Sequence, residues 1–182
     1  MRSLFAGPLL WLALTTLAVA QAPPAQQPSP QQPPPQQMMG YFAGDWTLAG
    51  TAKASPGSPS VPYKSTQHGE FVGAGFLEIH SVSHGPLGDV HGVRMMEYNA
   101  ADKIFTMNMY NSLGEHQVGT CKPEGATWVW TFAEKMNGVA ATRRETMTLT
   151  SPNSYTFKSE VQKPGGGWAT VMEGTATRSA SQ

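Results

Sequence analysis

The sequence predicts an all-β protein, an antiparallel up-and-down barrel of about ten strands, from three observations. Short segments alternate apolar and polar residues from Gly44 onward. Turn signals separate them at nearly even spacing, and no clear helical period interrupts the run before the C-terminus. Short connections between consecutive strands imply antiparallel neighbours, hence a meander.

The elements follow in chain order. Met1-Arg2-Ser3 is a short basic segment, Leu4–Leu17 is apolar but broken by Gly7 and Pro8, and Ala18-Val19-Ala20 precedes Gln21. This pattern predicts a secretory signal peptide over 1–20, cut after Ala20, and so an exported protein, periplasmic or secreted. A membrane span needs roughly 20 unbroken apolar residues, so none is expected. Residues 21–38 are nearly all Gln, Pro, Ala and Ser and predict a disordered linker, with the barrel domain occupying 39–182. Met38–Phe42 can form one helical turn that plugs a barrel end.

Ten strands are then expected: Asp45–Ala54, Tyr63–Val72, Phe76–Ser83, Val90–Tyr98, Lys103–Tyr110, Glu115–Cys121, Thr127–Ala133, Thr142–Thr150, Tyr155–Gln162 and Trp168–Thr177. Between them lie turn formers such as Pro56-Gly57, Gly85-Pro86-Leu87-Gly88, Asn111-Ser112-Leu113-Gly114, Asn137-Gly138 and Gly165-Gly166-Gly167, which tolerate positive φ or pre-set a bend.

Twelve basic and twelve acidic residues balance without blocks of like charge, so nothing points to nucleic acid or an anionic membrane surface. The single cysteine, Cys121, cannot close an intrachain disulfide and reads as a small buried hydrophobe.

Alternation shows which faces can look inward. Trp128, Trp130 and Phe132 share a face; so do Phe105, Met107 and Met109, and so do Tyr155, Phe157 and Val161. Such a wall either lines a tolerant apolar pocket or fills a dry core. On the eighth strand Arg143 and Glu145 continue the face of Met147 and Leu149. Inside the lumen these charges need each other or a ligand, whereas at the rim they would be solvated. Arg94, alternating with Met96 and Tyr98, is a second such cation. The candidate ligand-binding set is therefore Arg94, Met107, Met109, Trp128, Trp130, Arg143, Met147 and Phe157.

Gly44-x-Trp46 heading the first strand, the ten-strand meander and Arg178 ending the last strand resemble the calycin superfamily, which includes lipocalins and fatty-acid-binding proteins. Phe42-Ala43-Gly44-Asp45-Trp46, Tyr98-Asn99 with Lys103, Trp128-Val129-Trp130 and Gly166-Gly167-Trp168 together resemble a narrower group, the bacterial unknown-function family 1579, across nearly all of residues 39–178. The resemblance implies a calycin-like barrel in which Trp46 closes the base and Arg178 packs across it. From fatty-acid-binding proteins it implies that an interior arginine can hold a carboxylate. Nitrobindins, a related group, bind haem through a late histidine, and no histidine follows His116 here. Met172 is then either a stand-in axial ligand or a core methionine.

The five histidines show no metal-ligand spacing, and no metal or cofactor is expected. Glu78 with His80 and His91 with Glu97 share strand faces, as carboxylate-oriented bases or as solvated wall positions. No catalytic motif is present. The reading is an exported barrel that binds a small, largely apolar molecule, an anionic amphiphile being the finer form of that expectation. Its rivals are an interaction module with a filled core that meets a protein partner and, behind it, an enzyme or haem binder.

Overall fold

The computed structural model describes residues 33–136 and 139–179. The expected signal peptide, most of the linker and the Asn137-Gly138 turn lie outside that span. Its elements are α1 (Pro35–Gly40), β1 (Gly44–Ala52), β2 (Val61–Val72), β3 (Phe76–Gly85), β4 (Gly88–Asn99), β5 (Ile104–Asn111), β6 (His116–Cys121), β7 (Thr127–Met136), β8 (Val139–Ser151), β9 (Ser154–Gln162) and β10 (Trp168–Arg178). All strand pairs are antiparallel, and β1 pairs with β10 to close the barrel. The expected ten-stranded meander is thus the fold of the chain.

Most strand ends lie within a few residues of expectation, and the largest departures have physical causes. β7 runs to Met136 and β8 starts at Val139, because cross-strand pairing carries Glu134 and Lys135 into the ladder despite their modest strand preference. The helix begins at Pro35, inside the stretch expected to be linker. Proline is tolerated in a first turn, where its missing N–H costs nothing, and burial of Met39 holds the turn against the barrel.

The odd-even alternation sorts the residues as the sequence implied. Trp46, Leu48, Leu77, Ile79, Met96, Phe105, Met107, Trp128, Trp130, Phe132, Met147, Tyr155 and Phe157 form one buried cluster with Met39 and Phe42. Most of its aromatic members touch edge-on or tilted, with Phe42 against Trp128 at 5.2 Å and Phe105 against Trp128 at 4.8 Å, while Trp128 and Trp130 stack at 6.2 Å. Gly50 faces Gly174 across the β1–β10 seam. A Cβ at either position would overlap the opposite strand's backbone, so only glycine lets the two strands approach this closely.

One end of the barrel is sealed. Arg178 lies 4.4 Å over the Trp46 ring and donates to the carbonyls of Ala43 (2.5 Å) and Tyr41 (2.7 Å). The C-terminal strand therefore clamps the segment that enters β1.

On the outer wall Arg144 Nε donates to Glu160 Oε2 at 2.7 Å, Lys158 Nζ stands 3.0 Å from Oε1, and the Arg144 guanidinium stacks 4.2 Å from the Trp168 ring. The Arg144 hydrogen bond, outweighing partial burial, holds the Glu160 carboxyl below its ordinary value. A carboxyl depressed in the folded state contributes stability above its unfolded value, near about 4.3, and loses it as pH falls through the folded value. The thermal midpoints of native protein and Glu160→Gln are expected to differ at neutral pH and to converge below about pH 4. A gap that persists unchanged into acid would show that packing against Trp168, not charge, sets the difference.

Candidate functional site

The end opposite Trp46 is open. The turns β1–β2, β3–β4 and β5–β6 surround a mouth that leads into a cavity of about 200 Å³, lined among others by Tyr63, Ser83, Arg94, Met109, Arg143 and Met172. Below it the interior is packed by the aromatic and methionine cluster.

Several inward-facing positions near the mouth are polar. On β2 and β3 the Tyr63 hydroxyl lies 3.0 Å from Ser83 Oγ, which donates to Ser65 Oγ at 3.0 Å. Across the lumen, β8 places Arg143 beside Ser159 of β9: Arg143 Nε donates to Ser159 Oγ at 3.0 Å, and Nη1 donates to Gln117 Oε1 of β6 at 3.3 Å. Both partners are neutral. Arg143 has no ion-pair partner among residues 33–133 and 140–179, whose side chains are described.

Arg94 is different. Its Nη1 stands 3.5 Å from Glu145 Oε1, an ion pair spanning the barrel between strands that are not sheet neighbours, with side chains 15% and 4% exposed. Burial alone would push the Arg94 guanidinium toward losing its proton, but the negative charge of Glu145, with Tyr63 and Tyr155, raises it above the ordinary value. Arg94 and Glu145 cancel, and Arg143 lines the same cavity with its two neutral hydrogen-bond partners.

The structure therefore divides the candidate binding set. Arg94, Arg143 and Met109 line the mouth cavity. Met107, Trp128, Trp130, Met147 and Phe157 do not; they are buried in the core beneath it. Their volumes fill the lumen, so the expected pocket along the barrel axis shrinks to its mouth. Arg143 and Glu145 share a face but do not pair, because Arg94 reaches Glu145 from across the barrel. Gln117 and Ser159 were not singled out, though each stands as a polar break in an otherwise apolar alternation.

A second concavity, about 560 Å³, lies outside the wall over β2 to β5 and is lined in part by His68, His80, His91 and Tyr110. His68 Nδ1 pairs with Asp45 and His80 Nε2 with Glu78, each at 2.7 Å. The Asp45 hydrogen bond raises His68. This saddle is wet, since the His68 and Asp45 side chains are 55% and 60% exposed. His91 and Glu97 lie too far apart along β4 to share a proton.

No group of three metal-ligating side chains occurs among the described residues. Cys121 is buried, and burial pushes its thiol up to about 12, which removes it as a nucleophile. No described helix is long and apolar enough to cross a membrane.

The sequence profile of the family described as "Protein of unknown function (DUF1579)" matches residues 30–178. No curated protein matches the chain. Among solved structures, Rv2717c from M. tuberculosis shares the fold at 12% identity and a TM-score of 0.59, over 81% of this chain and 99% of that one. The S-type phycobiliprotein lyase CPES from Guillardia theta does so at 12% identity and a TM-score of 0.59, over 81% and 93%. At this identity the likeness is one of fold.

Proposed function

Since the chain belongs to DUF1579, a family defined without an activity, the site must supply the reading, and we propose that this protein binds a small organic anion in the mouth of its calycin-like barrel. The observation that carries this is Arg143, a half-buried guanidinium whose partners among the described side chains, Ser159 and Gln117, are neutral, beside a cavity whose other deep charge, Arg94, is already neutralised by Glu145. A cation in such a place is stabilised by an incoming carboxylate, which its planar fork can accept through two parallel hydrogen bonds. Gln117 and Ser159 position the fork; Tyr63 and Ser83 offer hydroxyls on the facing wall. The binding takes place outside the cytoplasm, periplasmic or secreted, as the Met1–Ala20 pattern implies, and a mature chain beginning at Gln21 would establish that setting.

The test is calorimetric titration with hexanoate and its neutral isostere hexanamide. Hexanoate is expected to bind and hexanamide to bind far more weakly. Arg143→Leu is expected to weaken hexanoate by about 1.5 to 3 kcal/mol, the worth of a charge-assisted hydrogen bond, and Arg143→Lys by less. Equal binding of acid and amide, or an Arg143→Leu variant that binds like the native protein, would sink the reading.

A further inference from the structure

We propose that the anion held by Arg143 is the head of an amphiphile, bound head first, whose apolar chain leaves the barrel between the β3–β4 and β5–β6 turns over Leu87 and Leu113. This rests on anion binding in the mouth cavity and extends it to the rest of the ligand.

Three observations carry it. The first is space. A cavity of about 200 Å³ is smaller than the roughly 300 to 1,000 Å³ that encloses a typical small ligand. Beneath it Trp130, Phe132 and Met107 are buried without remaining exposure, so anything longer than a head group must extend outward. The second is a polarity gradient. Arg94, Arg143, Ser81, Ser83 and Tyr63 line the deep part of the mouth, whereas Pro86, Leu87, Val90, Leu113, Val171 and Met172 stand at its rim, together with Lys53, Asn111 and Glu115. The apolar part of the lip gives a chain a path out, above a floor that carries the arginines.

The third is the two leucines. Each sits in a tight turn, where Gly, Asn, Asp and Ser are the residues that turn geometry favours. Leu87 is 57% and Leu113 49% exposed, so neither is there for the core. They come from separate turns yet border one opening. An alkyl chain lying across them would cover both, removing apolar surface that the protein otherwise leaves in water.

The experiment is a titration of the whole exported chain with the n-alkyl carboxylates from butanoate to decanoate, each below its micelle concentration. If the chain lies on the rim, Kd falls about threefold to fourfold per methylene, the worth of a buried CH₂, and then levels off once added carbons pass beyond the leucines. In Leu87→Ser/Leu113→Ser the ratio of decanoate to butanoate affinity is expected to fall about tenfold, as two leucine contacts are lost. A Kd that stays flat across the series, with butanoate binding still dependent on Arg143, overturns the tail and leaves the anion site standing. An unchanged ratio in a double variant that melts like the native protein also overturns it. Failure of every carboxylate to bind removes the anion site itself.

Discussion

Glu145→Ala is expected to lower the unfolding free energy by about 3 to 5 kcal/mol, among the largest losses from any single change in this chain. The carboxylate is nearly inaccessible and faces Arg94 at 3.5 Å inside the barrel. Arg94 does not escape by shedding its proton, because an arginine guanidinium stays protonated in proteins. Without Glu145 the cation remains among Ile79, Met109 and the core, uncompensated. The companion variant Arg94→Met/Glu145→Leu removes both charges at similar volume and is expected to recover most of the loss, because a buried pair stabilises little against an apolar replacement even though half of it is costly. Urea unfolding followed by tryptophan fluorescence reads both. A single variant that unfolds at the native midpoint would mean that water already reaches the pair.

Trp46→Ala is expected to cost about 3 to 5 kcal/mol. The ring is 2% exposed, packs against Tyr155 at 5.0 Å and Tyr41 at 5.4 Å, and lies under the Arg178 guanidinium. Its loss leaves a cavity that Arg178, tied to two carbonyls, cannot fill. Its indole N–H has no acceptor among the described residues, so the ring contributes through area and its π face rather than through a hydrogen bond. Trp46→Phe keeps part of both and is expected to cost much less, the cation–π share being about 0.5 to 2 kcal/mol. Thermal melts of the two variants separate the contributions; a Trp46→Phe protein as damaged as Trp46→Ala would show that fit, not aromatic character, decides.

The fold was legible because a meander asks only for local information. Alternation in Trp128-Val129-Trp130 tells which side chains face in, and Gly85-Pro86-Leu87-Gly88 tells where the strand reverses. The site was legible in part. Period-two patterns give a residue's face but not its depth along the barrel axis, so Met109 at the mouth and Trp130 in the core looked alike. Glu145 shares a face with Arg143, and neighbour spacing suggested that pair; the true partner, Arg94, lies on a strand four places away around the barrel, a distance that no local pattern encodes. Gln117 and Ser159 left a visible trace as polar interruptions of apolar faces, as did Leu87 and Leu113 as apolar residues in turns.

The β1–β10 seam also sets an order of events. Every other strand pair joins neighbours in sequence, whereas this one brings Trp46 to Arg178 and Ala52 to Met172. As the chain emerges from a ribosome or a translocation pore, hairpins can form one after another, yet the outer edge of β1 stays bare until β10 has been delivered. Closing so long a loop is entropically slow and comes late. Until then the nascent sheet presents two unpaired edges, each a template for a strand from another chain. Lesions that loosen the seam, at Gly50 or Gly174 for example, should thus be felt in soluble yield before they are felt in ligand binding, because they lengthen the interval in which the edges remain open.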